Sequence, residues 1–167
     1  MTQLQELRSE GLMKPAAAQR FDDFKNYAKA VEGINSKNYV KAVTDLKAYQ
    51  QARPKSPYLS YAQYWVGEAY YLQSDFEMAI AEFQKIIAKN PKSEKASTAL
   101  YKQGLSFFHL QSFDDAKEFF AKVIHAYPQS LEAAQAATQI ELINQILEAK
   151  KDDGGVPAQT PVQTSTQ

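Results

Sequence analysis

Prolines stand at positions 54, 91 and 128, each 37 residues after the last, and Ser56, Ser93 and Ser130 keep the same step two residues further on. A fixed period of this length marks a repeat array, whose units are single supersecondary elements that bury their apolar faces only against their neighbours. Other residue classes obey the step. Gly67 pairs with Gly104, Tyr39 with Phe76 and Phe113, Ala42 with Ala79 and Ala116, and Leu46 with Phe83 and Phe120.

Within one period, from Ser56 to Ser93, the sequence predicts two helices broken at Gln73-Ser74-Asp75 and stopped at Pro91, because proline lacks a donor and clashes with the preceding turn. Phe76, Ala79, Ile80, Phe83, Ile86 and Ile87 recur at the spacing of a half-buried helix. In the helix before it, Ala62, Gly67 and Ala69 lie among Trp65, Val66 and Tyr70, which predicts a close helix contact. Upstream, a helix is expected from Phe21 to about Asn35 and its partner from Asn38 to about Ala52. The Ser36-Lys37 connection is so short that the two must be antiparallel. Ser56 is expected to cap the next helix with Pro57 at its first position, and Ser93 and Ser130 to repeat the cap.

These positions resemble the tetratricopeptide (TPR) signature. The second unit carries it as Gly67, Tyr70, Phe76, Ala79, Phe83 and Pro91, and the third as Gly104, Phe107, Phe113, Ala116, Phe120 and Pro128. The first is more degenerate, with Ala30, Gly33, Tyr39, Ala42, Leu46 and Pro54. The period exceeds the usual length of about 34 residues, and the surplus, seen as Glu94-Lys95-Ala96, is expected to lengthen each first helix by nearly a turn. The resemblance implies an all-α fold: a TPR-type right-handed superhelix of three antiparallel helix pairs plus a C-terminal capping helix. Its units are expected at about 21–56, 57–93 and 94–130, with the cap at 131–150. In the cap, Ala133, Ala136, Ala137, Ile140, Ile143 and Leu147 are the inner positions. Glu141 and Asn144 replace the residues equivalent to Gly67 and Tyr70, as suits an array that ends there. Residues 1–20 read as a flexible leader or a coiled-coil remnant, with Leu4 and Leu7 its only regular apolar pair, and residues 151–167 as a disordered tail.

Composition removes several function classes. Nineteen basic and nineteen acidic residues give zero formal net charge, with no electrostatic footprint for nucleic acid or an anionic membrane. There is no cysteine, so thiol catalysis, cysteine zinc sites and a lipid-modified cysteine are excluded for these residues. No apolar run is long enough to span a bilayer, and residues 1–20 lack the core of a secretory signal, so the protein is either cytoplasmic or the sequence begins after its targeting segment. The two histidines, His109 and His125, lie on different helices without metal-ligand spacing, and Asp22-Asp23 and Asp114-Asp115 suit the positive ends of helices. The expectation is a non-enzymatic interaction protein with no cofactor and no metal, whose partner is a protein.

In a TPR array the first helix of each pair lines a concave groove. The resemblance places Phe24, Tyr27, Tyr61, Tyr64, Glu68, Tyr71, Tyr101, Leu105, Phe108 and His109 there, with Tyr27, Tyr64 and Tyr101 as a ladder at one repeat position. Tyrosine offers large contact area with a polar tip, which favours binding, and Tyr64 and Tyr101 are the expected anchors. The basic clamp that chaperone-tail binders carry at these places is missing.

Within the TPR group, the 37-residue step, the segment YWVGEAYYLQSDFEMAIAEFQKIIAKNPKS and the proline-x-serine helix starts resemble the C-terminal domain of the CpoB/YbgF family of Tol-Pal-associated periplasmic proteins. That resemblance implies a periplasmic adaptor coordinating peptidoglycan synthesis with outer-membrane constriction in cell division. Its implied partners are TolA and a bifunctional penicillin-binding protein, and a trimer is implied only with an upstream coiled coil. Two alternatives remain: a cytosolic TPR scaffold or chaperone-like binder of hydrophobic segments, and an outer-membrane assembly TPR lipoprotein, against which zero cysteines and only three units count.

Overall fold

A computed structural model describes residues 15–153, which form seven helices and no strand. They are α1 (Pro15–Asn35), α2 (Tyr39–Ala52), α3 (Leu59–Leu72), α4 (Phe76–Lys89), α5 (Ala96–His109), α6 (Phe113–Ala126) and α7 (Leu131–Asp153). Each packs on the next, giving antiparallel pairs α1/α2, α3/α4 and α5/α6 with α7 laid on the last. Contacts of α1 with α3, and of α5 with α7, align the first helices as one layer. Two boundaries differ from expectation. α1 begins at Pro15, where a proline costs no hydrogen bond, and α7 runs on through Asp153. The expectations for residues 1–14 and 154–167 lie outside the described residues.

The step survives in the backbone. α2, α4 and α6 begin at 39, 76 and 113, and Lys37, Ser74 and Gln111 share a left-handed conformation with φ of 58°, 61° and 59°. At the latter two, a six-to-one and a five-to-two hydrogen bond close each first helix: Asp75 N to Tyr70 O and Ser74 N to Tyr71 O, then Ser112 N to Phe107 O and Gln111 N to Phe108 O. The residue after the left-handed one is the N-cap of the next helix, and at two of the three turns its side chain makes the cap, Ser112 at the third making none. Asn38 and Asp75 accept from the Lys41 and Met78 amides through their side chains. Two helix ends thus share one three-residue turn, which leaves the pair no choice but to fold back antiparallel.

The connections between pairs depart from expectation. Ser130 caps α7 by accepting from Ala133 N at 3.1 Å. Ser56 does not cap α3, which starts at Leu59, because its buried hydroxyl is held by the Tyr49 hydroxyl at 2.6 Å and accepts from Tyr58 N. Nor does Ser93 cap α5: it offers its backbone carbonyl to Ala96 N, and its buried Oγ has no partner. The surplus residues of the period therefore extend the turns before α3 and α5. The first helices α3 and α5 gain nothing in length, having 14 residues each, as do α4 and α6.

The core is a column of equivalent residues. Ala42 and Leu46, Ala79 and Phe83, and Ala116 and Phe120 are fully buried. A Cβ on Gly67 would come within 2.6 Å of the Phe83 ring, and one on Gly104 within 2.6 Å of Phe120. The first unit solves the same contact differently, with Ala30 at the glycine position and the smaller Leu46 at the ring position. There the close approach moves one turn along to Gly33, whose Cβ would meet the Ala42 backbone at 2.8 Å. In α7, Ala133, Ala136 and Ile143 are buried and Ile140 and Leu147 pack beside them, while Glu141 is exposed as expected for the end of the array. Ala137, expected inside, is exposed.

Candidate protein-binding groove

The first-helix layer brings most of the expected aromatic residues into two clusters. At the N-terminal one, Tyr27 stacks on Tyr58 with ring centroids 5.1 Å apart and 12° between planes, and its hydroxyl accepts from Trp65 Nε1 at 2.8 Å. Phe24, 51% exposed, tilts against the same Tyr58. At the other, His109 is exposed and stacks on Phe76 at 4.7 Å, and its Nε2 shares a 2.9 Å hydrogen bond with the Tyr71 hydroxyl. Phe108 is half-buried, edge-on to Phe113. Between the clusters, the Tyr61 hydroxyl donates to Glu94 and the Lys95 ammonium lies over its ring.

The tyrosine ladder divides. Tyr64 is only 8% exposed, its ring 5.8 Å from Phe83 and its hydroxyl donating to Glu68 at 3.1 Å. Burial first, then the neighbouring Glu68 carboxylate, pushes its ionisation well above the ordinary tyrosine value. A ring this buried, with the Lys95 ammonium also over it, has little left to offer a partner, so Tyr64 belongs to the core and not to the anchors. Tyr101 makes the equivalent packing on Phe120 at 5.5 Å but stays half-buried, with Gln139 of α7 against its hydroxyl. Leu105 packs into the C-terminal core.

Glu68 is a buried charge on α3, 9% exposed, and Lys102 of the next unit pairs with it at 2.9 Å while lying 4.4 Å from the centre of the Tyr71 ring. A buried carboxylate needs such a partner. Sequence reasoning missed Lys102, although it stands one step of 37 from Trp65 and, like Trp65, reaches back to the preceding first helix. It also missed Phe76, placed only in the apolar stripe of its helix and in the repeat signature. On the second-helix side, Glu82 accepts from Gln63, Lys85 and Lys47. Burial alone would raise its pKa, but these three donors outweigh burial and hold it below the ordinary value.

Among the described residues no three His, Asp or Glu side chains converge on a metal position, and no helix is long and apolar enough to cross a membrane. What the arrangement offers is a half-exposed aromatic surface on α1, α3 and α5, crossed by one ion pair.

A family model described as YfiO, outer membrane lipoprotein, matches residues 21–152. No curated protein sequence matches significantly. Among solved structures, the TPR domain of Sgt2 from Aspergillus fumigatus is similar with a TM-score of 0.63 and 20% identity, over 86% of this chain and 91% of that one. The first TPR of Spaghetti (RPAP3) bound to an HSP90 peptide gives 0.60 and 21%, over 75% and 93%. The second TPR domain of human RPAP3 in complex with an HSP70 peptide gives 0.59 and 16%, over 75% and 98%. At these identities the likeness establishes the TPR fold. The family that matches is the outer membrane lipoprotein one, and not specifically the Tol-Pal-associated family that the repeat segment resembles. The cysteine count, weighed against that family above, bears only on where a lipid could be attached, not on how the helices stack.

Proposed function

Because this chain belongs to the YfiO family of outer membrane lipoproteins, we propose that it is a non-enzymatic adaptor of the cell envelope, working in outer-membrane assembly. Its concave groove receives an extended or helical segment of a protein partner. The observation that carries this reading is the set of aromatic side chains on α1, α3 and α5 that remain half-exposed or exposed after the core is complete: Phe24, Tyr61, Tyr71, Tyr101, Phe108 and His109. Large rings at the centre of a protein contact supply most of its affinity, and groups fixed beforehand by Lys102, Phe76 and Phe113 lose little freedom on binding.

The test is capture from an envelope extract followed by titration of the captured partner. Tyr71→Ala with Phe108→Ala should leave the helical spectrum intact and weaken the partner by about 2 kcal/mol or more. Binding should persist at high salt, since an aromatic contact is not screened. Equal affinity of a folded double variant would remove the groove from the reading. The Tol-Pal-type role, with TolA and a bifunctional penicillin-binding protein, stands second. It is supported by the 37-residue step and the Tyr64–Tyr71 segment, and recovery of those two proteins in the same capture would put it first.

A further inference from the structure

At the seam between the first two helix pairs, two clefts of about 540 and 500 Å³ adjoin and share Pro57, Ser60 and Asn90, the second reaching the edge of the aromatic surface at Tyr58 and Tyr61. The first is lined by Gln50, Lys85 and Lys89, the second by Arg20, Lys92 and Ser93. Four cations thus face the pair of clefts in a chain whose formal net charge is zero. Lys85 is paired with Glu82, but Lys89, Lys92 and Arg20 pair with no carboxylate among the described residues. The one carboxylate among the described lining residues, Glu94, is engaged by the Tyr61 hydroxyl.

A second observation points the same way. Each cleft holds a polar side-chain atom that is buried and has no hydrogen-bond partner: Gln50 Nε2 in the first and Ser93 Oγ in the second. An unpaired buried donor costs about 1–3 kcal/mol, and here one lines the cleft that holds Lys89 and the other the cleft that holds Lys92. Both deficits, of negative charge and of acceptor oxygens, are met by carboxylates. Pro54, Pro57, Leu59 and Ile86 give the first cleft apolar walls for side chains between them.

We propose that this seam docks an acidic, extended segment of a partner protein, with carboxylates on Lys89 and Lys92 and on the Gln50 amide, without using the Tyr71, Phe108 and His109 cluster of the aromatic surface. The site differs from a chaperone-tail clamp in place: it lies at the turns joining the pairs, on Asn90 and Lys92 and the start of α3.

The experiment titrates the full chain with a short fluorescein-labelled peptide of alternating Glu and Leu, with its Lys and Leu counterpart as sign control, and with vesicles containing phosphatidylglycerol. The acidic peptide should bind, its affinity falling as salt rises, and the basic one should not. Lys89→Glu with Lys92→Glu, both on exposed side chains, should weaken it about tenfold or more. Gln50→Leu should weaken it several-fold without lowering the melting temperature, because the free protein has no partner for that amide to lose. Tyr71→Ala should leave it unchanged. Peptide binding that ignores the two lysine reversals, or that is lost with Tyr71→Ala, would overturn the proposal. So would binding to the anionic vesicles with none to the peptide, which would make the seam a membrane contact.

Discussion

Position 67 and its partner 83 show how a single methyl group is settled in this fold. A Gly67→Ala Cβ would sit 2.6 Å from a phenyl ring that is itself fully buried, so the ring cannot swing away. That variant should lose about 1–3 kcal/mol by overpacking, and Phe83→Leu alone should lose a comparable amount by leaving a void. The first unit already uses the alternative pair, Ala30 with Leu46. The double variant should therefore recover part of the loss, with a favourable coupling above about 0.5 kcal/mol in a double-mutant cycle read by urea denaturation. Strict additivity would mean that the two positions do not share one packing problem.

Each hairpin turn holds a left-handed residue that is not glycine, at Lys37, Ser74 and Gln111. The left-handed conformation costs an ordinary residue about 1–2 kcal/mol, partly offset by the freedom glycine would have in the unfolded chain, about 0.4–1 kcal/mol. Ser74→Gly and Gln111→Gly should each raise stability by up to about 1 kcal/mol, seen as a higher melting temperature. A drop would show that the side chain contributes more than the strain. Between elements, Glu82 ties α4 to Lys47 on α2 and Gln63 on α3, and its pKa is depressed in the folded protein. A depressed carboxylate contributes stability that is complete above its ordinary value near 4.5 and is lost as pH falls through the lower folded-state value. Stability measured between neutral pH and about pH 3 should thus drop on the acid side. Glu82→Gln, less stable at neutral pH by about 1–2 kcal/mol, should show a shallower acid drop. Parallel pH curves would remove Glu82 from the account.

At the scale of the whole molecule the described residues form an open stack of helices, each packed on the next. The C-terminal end is closed by α7, which ties itself to α5 through Glu132, whose carboxylate accepts from Ser97 and Thr98. Because that helix supplies Ala133, Ala136 and Ile143 to the last core cluster, Ile143→Asp should unfold the third unit before the first two. Hydrogen exchange would detect this as loss of protection in α5 and α6 with α3 retained. Uniform loss across all units would mean that the stack melts as one body.

The 37-residue step was enough to read out the helix pairs, the column of Ala42, Ala79 and Ala116, the ring positions 83 and 120, and the closing role of α7. In a repeat these features depend on contacts inside one unit or with an identical neighbour, so period and residue class determine them. Contacts between unlike residues of different units were not legible. Nothing in the spacing says that Ser56 bonds to Tyr49 and so leaves α3 uncapped, that Lys102 pairs with Glu68 across units, or that Tyr64 is buried while Tyr101, one step later, is not. Tyr64 has Trp65 and Phe83 beside it and Glu68 at its hydroxyl, whereas Tyr101 meets Phe120 and has Gln139 of α7 at its hydroxyl. Burial is a property of the surroundings, and the surroundings of equivalent residues diverge as soon as the array has ends.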